Sequence, residues 1–270
     1  MATALLAIAI GLAIGLTLGT LGAGGSILAV PVLLHLFDQS PSTATTGSLI
    51  VVGVSALVGA ASARRAGRAL VARGVVFGAT ATGGTVLGAL ASTRVPEDVL
   101  TAAFAVLMLL VGALMVRQLV DRGRQQEEAD DFAEPILTFD PRLAVNWPQA
   151  AKVLVTATVV GLLTGFLGVG GGFLVVPALV LALGLPMRHA AGTSLVVIAL
   201  TSATALATRA GLGSHPDWDV VLPLAAASVV GALLGTRLAG RVNRRALSGA
   251  FAALVLAVGI FTAVQAVSGL

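Results

Sequence analysis

The chain has 270 residues, of which 57% are hydrophobic and 10% are charged, with a formal net charge of +4. A soluble domain carries charge on about a quarter of its residues, so this composition excludes a soluble enzyme core and a disordered chain. The sequence has no cysteine, which excludes disulfides and cysteine metal sites. Its basic residues lie between apolar stretches, so we interpret them as topology signals and expect no nucleic-acid partner.

Eight apolar stretches follow one another along the chain. They fall at 2–36, 43–63, 74–93, 98–116, 151–184, 189–208, 219–238 and 246–268. Six have the length of one transmembrane helix, whereas the first and fifth would run about 50 Å as straight helices, against a hydrocarbon core of about 30 Å. Glycines cluster in the middle of both long stretches, at 22–25 and 168–172. We therefore expect each long stretch to break there.

The two long stretches are copies of each other. Shifting residues 15–31 by 146 positions aligns ten identical residues. We therefore divide the chain into a first transmembrane repeat at 1–116, a linker at 117–150 and a second repeat at 151–270. The linker holds most of the acidic residues and three prolines, a composition typical of a solvated connection rather than of a separate domain.

Arginine placement indicates that the two repeats have opposite orientations. Residues 64–73 and 237–245 hold four arginines each, although the two loops are not equivalent in the repeat. If both are cytoplasmic, as the positive-inside rule implies, the repeats are inverted and each crosses the membrane an odd number of times. Three spanning helices and one re-entrant hairpin per repeat meet that condition and place the linker in the cytoplasm and both termini outside. Four spans per half, in parallel repeats, is the alternative.

The doubled motif G-x-G-G-x5-P, at Gly22 to Pro31 and Gly168 to Pro177, is the strongest functional signal. A helix that restarts after the glycines offers N–H groups and its dipole to an anion. Broken helices paired about an inverted-repeat axis are where secondary transporters bind substrate. The alternative is that the glycines only permit close helix packing.

Hydroxyl groups near these motifs extend the candidate site. Ser48 and Ser194 stand at equivalent repeat positions, and with Thr46 and Thr193 they could complete an anion's coordination. The other hydroxyls of these helices, among them Ser55, are assigned to packing. The candidate substrate-binding residues are Gly22, Gly24, Gly25, Ser26, Thr46, Ser48, Gly168, Gly170, Gly171, Gly172, Thr193 and Ser194.

Several kinds of chemistry have no residues to support them. The six single stretches contain no interior Asp or Glu, the usual ligands of coupling cations within membranes. No catalytic triad, HExxH or phosphate-binding loop occurs, so we expect no enzyme activity, no metal and no cofactor.

The segments GLTLGTLGAGGSILAVPVL at 15–33 and GLLTGFLGVGGGFLVVPAL at 161–179 carry a family resemblance. Through them the chain resembles the sulfite exporter TauE/SafE family of membrane permeases over nearly its whole length. The resemblance implies a multi-span inner-membrane permease for small anions such as sulfite, sulfoacetate or other sulfonates. In the first copy Ser26 replaces the third glycine of the second copy, so the two half-sites need not contribute equally.

These observations predict an all-α membrane transporter of two inverted halves. We expect a central anion site between the two Gly-broken hairpins, alternating access and export, with proton-coupled uptake or a non-transporting scaffold subunit as alternatives. The expected partners are a small anionic substrate and the lipid bilayer, with a homodimer as an alternative to the monomer.

Overall fold

The computed structural model describes residues 2–22, 24–92, 97–121, 137–140, 142–145, 147–167, 172, 174–210 and 216–268. The first half contains α1 (Ala2–Leu21), α2 (Gly24–His35), α3 (Pro41–Arg65), α4 (Val71–Ser92) and α5 (Glu97–Asp121). The second half contains α6 (Trp147–Leu167), α7 (Val175–Pro177) with a π-helical continuation (Ala178–Ala182), α8 (Met187–Ala210), α9 (Trp218–Ala239) and α10 (Arg244–Ser268). In the linker, β1 (Leu137–Asp140) pairs antiparallel with β2 (Arg142–Val145).

The helical membrane architecture is confirmed. Among the described residues, five helices are long and apolar enough to cross a membrane, namely α3, α5, α8, α9 and α10. Their outer faces are apolar: Leu57, Val106 and Val120 are 63%, 65% and 64% exposed. Because a soluble protein rarely leaves so much contiguous apolar surface in water, these faces are suited to contact with lipid.

The first long stretch breaks where the glycines predict. Helix α1 ends at Leu21, Gly22 has a φ of +84°, and α2 then folds back along α1. Gly25 makes this return possible, since a Cβ there would lie 2.8 Å from the Cβ of Leu18 and against the carbonyl of Ile14. In the second long stretch α6 ends at Leu167 and α7 begins at Val175, and Gly172 and Leu174 between them are not helical. Gly168, Gly170 and Gly171 lie outside the described residues.

Glycines also lie where helices of the two halves pack against each other. Helix α1 packs on α9, and α6 packs on α4. A Cβ at Gly231 would meet the carbonyl oxygen of Leu12, and one at Gly84 would lie 2.5 Å from that of Thr158. Such a close approach of helix backbones is typical of small-residue interfaces in membranes. The first helix of each half therefore packs against the fourth helix of the other half.

The direction of the paired helices follows from the residues in contact. Gly53 and Gly59 of α3 lie against Ser202 and Leu195 of α8, so these two helices run antiparallel. The pair α5 and α10 also runs antiparallel, because Gly112 meets Leu256 whereas Gly259 meets Met108. In each of these two pairs, a helix of the first half and a helix of the second half thus point in opposite directions.

The two arginine-rich connections lie at the same end of the bundle. Arg188, at the start of α8, donates from Nη2 to the carbonyl oxygen of Val242 at 2.8 Å. The guanidinium of Arg68 lies beside Gly240. Partial burial lowers the pKa of Arg68, and the positive charge of Arg188 lowers it further. The loops at 64–73 and 237–245 therefore meet around the start of α8, and we call this the basic end of the bundle.

Candidate functional site

The two Gly motifs meet between the halves at Ser26 and Gly172. These residues are 146 positions apart, the offset that relates the repeats, and so occupy equivalent places. A Cβ at Gly172 would lie 2.6 Å from Ser26 Oγ and 2.9 Å from Ile198 Cδ1. Ile198 is near the middle of α8, which has 24 residues. The contact therefore lies deep in the bundle.

Gly22 forms a second contact between the halves. A Cβ at this position would meet Ser194 Oγ and would lie 2.7 Å from the Cα of Ala191. The positive φ of Gly22 already disfavours any residue with a side chain. Gly22 is therefore held against the N-terminal part of α8, one helical turn from the contact between Ser26 and Gly172.

The candidate hydroxyl groups are buried, and Thr46 and Ser48 lie on either side of Gly47, which packs on Val221 near the start of α9. Ser26 is 8% exposed, Thr46 and Ser48 are 5% exposed, and Ser194 is fully buried. Ser194 donates to the carbonyl oxygen of Ala191, and Ser48 donates to that of Thr45, both at 2.8 Å. With its proton engaged in this way, each hydroxyl oxygen still has acceptor capacity. To donate to an anion, it would have to release the carbonyl.

Thr193 has a different local role from Ser194. Its Oγ1 accepts a hydrogen bond from the backbone N–H of Leu70 at 3.1 Å. Its side chain therefore holds the connection between α3 and α4 against α8. Gly24 begins α2, and Gly25 is packed against α1, so these two glycines shape the hairpin.

The site is electrically neutral. Ser26, Gly172, Ile198, Gly22, Ala191 and Ser194 include no ionisable side chain. Two cavities, of about 570 and 410 Å³, lie on either side of α3, and none of the candidate site residues lines either one. The described part of the chain has no cluster of three His, Asp or Glu residues that could hold a metal. The polar groups that could bind a ligand at this site are thus backbone N–H groups, helix dipoles and hydroxyls.

Ala191 and Ile198 were not predicted as site residues. Both lie on the same face of α8 as Ser194, three residues before it and four after it. Once Ser194 is a candidate, helical periodicity gives the face it shares with these residues. What the sequence could not give was which part of the other half would cover that face.

The fold and the site define a class: multi-pass helical membrane proteins in which two related halves bring broken helices together in the bundle. The chain matches the family model described as "Sulfite exporter TauE/SafE" over residues 7–262. It belongs to that family, and the family assignment made from the two Gly motifs is confirmed. A relative from Xylella fastidiosa strain Temecula1, named "Probable membrane transporter protein", is 30% identical over 253 residues, covering 92% of this chain and 90% of the relative.

Two further relatives come from Bacillus subtilis strain 168. The "Probable membrane transporter protein YunE" is 29% identical and the "Probable membrane transporter protein YdhB" is 25% identical, over 86% and 83% of this chain and 87% and 85% of their own lengths. No solved structure is significantly similar to the chain. The protein is thus a membrane transporter of the TauE/SafE family.

Proposed function

We propose that this transporter moves a small sulfur-containing or organic anion, such as sulfite, sulfoacetate or another sulfonate, out of the cell across the inner membrane. The observation that carries the proposal is the meeting of Ser26 with Gly172 and of Gly22 with Ser194 between the two halves. The anion binds there, among hydroxyls and the N–H groups at the start of α2. The full set of candidate residues, including Gly168, Gly170 and Gly171, belongs to this proposed site.

The mechanism we propose is alternating access between inverted halves. The antiparallel pairing of α3 with α8 and of α5 with α10 supports an inverted repeat, because a two-fold axis in the membrane plane reverses each helix that it maps. In this mechanism, the close packing around Ser26 and Gly172 corresponds to the occluded state. A relative movement of the halves then opens this contact to one side at a time.

Export needs no coupling ion in this mechanism. A potential of about 100 mV, negative inside, favours expulsion of each monovalent anion by about 2.3 kcal/mol. The neutral lining around Ser26 and Ser194 supports uniport, since it offers no carboxylate to bind a proton or a sodium ion.

Flux into proteoliposomes tests this function. Labelled sulfite, sulfate and a small sulfonate are offered to vesicles that contain the purified protein, with and without an imposed potential. We expect one anion to move, at a rate that follows the potential. Flux that ignores the potential and follows a pH gradient would exclude uniport, and no movement of any of the three anions would count against this substrate class.

A pair of serines on α8 tests the location of the site. Ser194→Ala removes a hydroxyl that we place against the anion, and a hydrogen bond to a charged group contributes about 1.5 to 3 kcal/mol. We therefore expect KM to rise about tenfold or more. Ser202→Ala is the matched control, because Ser202 is also buried, at 2% exposure, on the same helix. Equal kinetics in both variants would remove Ser194 from the site.

A further inference from the structure

A groove with a volume of about 410 Å³ runs between α3 and α9 near their C-terminal ends, on the outer side of their contact. Its apolar part is formed by Leu57, Val58 and Leu233, and its polar part by Ser62, Arg65 and Arg237. Leu57 is 63% exposed, so the groove opens on the outer face of the bundle. The groove is separate from the site between the two Gly motifs.

The two arginines lie at the same end of the groove because α3 and α9 run parallel. Two hydrogen bonds fix their register: Ser55 Oγ to Ser228 Oγ at 2.5 Å and Ser62 Oγ to Thr236 Oγ1 at 3.0 Å. Arg65 is the last residue of α3, and Arg237 directly follows Thr236. Both arginines are exposed, and they lie at the basic end of the bundle.

The groove is basic at one end and apolar along the rest, which matches the anionic headgroup and the acyl chain of a phospholipid. Leu57 precedes Arg65 by eight residues, which is about 12 Å along a helix. The apolar walls therefore extend from the arginines toward the middle of the membrane. No acidic residue lines the groove, so the charge that the lining itself presents is positive.

Ser62 adds a hydrogen-bond acceptor beside the arginines. Thr236 Oγ1 donates to the carbonyl oxygen of Leu233 at 3.0 Å. Since a hydroxyl has one proton, Ser62 must be the donor in the bond between Ser62 and Thr236. The Ser62 oxygen therefore has lone pairs available to a hydroxyl group of a bound molecule.

We propose that this groove is a binding site for an anionic phospholipid. The phosphate lies between Arg65 and Arg237, one acyl chain runs along Leu57, Val58 and Leu233, and a headgroup hydroxyl donates to Ser62. Zwitterionic lipids bind less well because their cationic group opposes the two arginines. The site selects the headgroup charge of the lipid and is independent of the transported anion.

Native mass spectrometry of the protein released from nanodiscs tests the proposal. The nanodiscs contain equal amounts of dioleoylphosphatidylglycerol and dioleoylphosphatidylcholine. We expect the wild-type protein to retain phosphatidylglycerol over phosphatidylcholine by about fivefold or more, since a basic residue near a membrane surface strengthens binding of anionic lipid by about that factor. The Arg65→Gln, Arg237→Gln double variant should retain the two lipids almost equally.

Matched variants separate this groove from general surface charge. Lys152 lies near the start of α6, which runs parallel to α4 because Gly161 and Gly165 meet Ala81 and Thr85, so it lies at the basic end as Arg241 does. Arg241→Gln with Lys152→Gln removes two positive charges from exposed positions there, outside the groove, and should keep the wild-type preference. Val58→Trp fills the groove without changing its charge and should lower retention of phosphatidylglycerol. Circular dichroism and gel filtration verify that each variant is folded.

Three outcomes would overturn the proposal. One is equal retention of the two lipids by the wild-type protein. Another is a loss of preference in the Arg241→Gln, Lys152→Gln control as large as in the groove variant, which would point to the charge of the whole surface. The last is that inorganic phosphate alone stabilises the protein against unfolding as much as phosphatidylglycerol does. This result would indicate a site for a free anion instead of a lipid site.

Discussion

Gly22 and Gly67 both have a left-handed backbone, with φ of +84° and +68°, but their surroundings differ. A Cβ at Gly22 would meet Ser194 Oγ and Ala191, whereas one at Gly67 would have nothing within 4 Å. A left-handed residue with a side chain costs about 1 to 2 kcal/mol. We expect Gly67→Ala to lose about that much stability, and Gly22→Ala to lose clearly more because it also separates the two halves.

Thermal unfolding in detergent measures both variants, and anion flux measures the consequence for transport. Gly67→Ala controls for backbone strain, so the difference between the variants reports the close contact with α8. Equal unfolding temperatures would show that Gly22 is needed only for its backbone conformation.

The contact between Ser26 and Gly172 predicts that a larger residue at one position can be compensated by a smaller residue at the other. Gly172→Ala places a Cβ against Ser26 Oγ and Ile198, and overpacking of this kind costs about 1 to 3 kcal/mol. Adding Ser26→Gly removes one of the two obstacles, so we expect the double variant to recover part of the lost unfolding temperature. Adding Ser202→Gly instead, which deletes a buried side chain elsewhere, should recover none. Recovery by both second substitutions would mean that position 172 is not matched to position 26.

The sequence predicted these residues only in part. The doubled motif made Gly22, Ser26 and Gly172 candidates, and the positive φ of Gly22 is a conformation that favours glycine. It did not predict that Ser26 and Gly172 meet, since that contact depends on how two segments 146 residues apart are brought together. Ser55 was assigned to packing, and its hydroxyl is hydrogen-bonded to that of Ser228 on α9.

At the scale of helices, two adjacent glycines of α4 distinguish the effect of close helix packing on stability from the effect of helix propensity. A Cβ at Gly84 would lie 2.5 Å from the carbonyl oxygen of Thr158 on α6, whereas one at Gly83 would meet nothing within 4 Å. We expect Gly84→Ala to push α4 away from α6 and to lower the unfolding temperature. Gly83→Ala should leave it unchanged or raise it, since alanine favours a helix over glycine by about 1 kcal/mol.

Fluorescence-detected gel filtration after heating compares the two variants directly, with the same chemical change one residue apart. If Gly83→Ala and Gly84→Ala behave alike, the contact between α4 and α6 does not depend on close approach of the backbones.

Helix breaks were easier to predict than helix partners. The first long stretch exceeds the thickness of a bilayer and has glycines at its centre, which was enough to predict the turn at Gly22. The packing of α1 on α9 was not predicted, although Gly11, Gly15 and Gly19 already marked one face of α1. A small-residue face indicates that some helix approaches closely, but the identity of that helix depends on the arrangement of both halves.

At the scale of the whole molecule, charge distinguishes the two ends of the bundle. The connection between α3 and α4 and the one between α9 and α10 carry arginines and meet at the basic end. At the other end, α9 begins beside Asp217 and Asp219. An asymmetry of this kind sets the orientation of a membrane protein, because loops rich in arginine stay in the cytoplasm.

Single cysteines in a chain that has none test this orientation. Ala66→Cys and Arg241→Cys place thiols in the two basic connections, and Asp219→Cys places one at the opposite end; all three positions are exposed. In intact cells, a membrane-impermeant maleimide should label only Asp219→Cys, whereas inverted membrane vesicles should expose the other two. Labelling of Ala66→Cys and Arg241→Cys from opposite sides would contradict their meeting at one end of the bundle. Complete reversal of the pattern would keep the fold but place the basic end outside the cell, against the positive-inside rule.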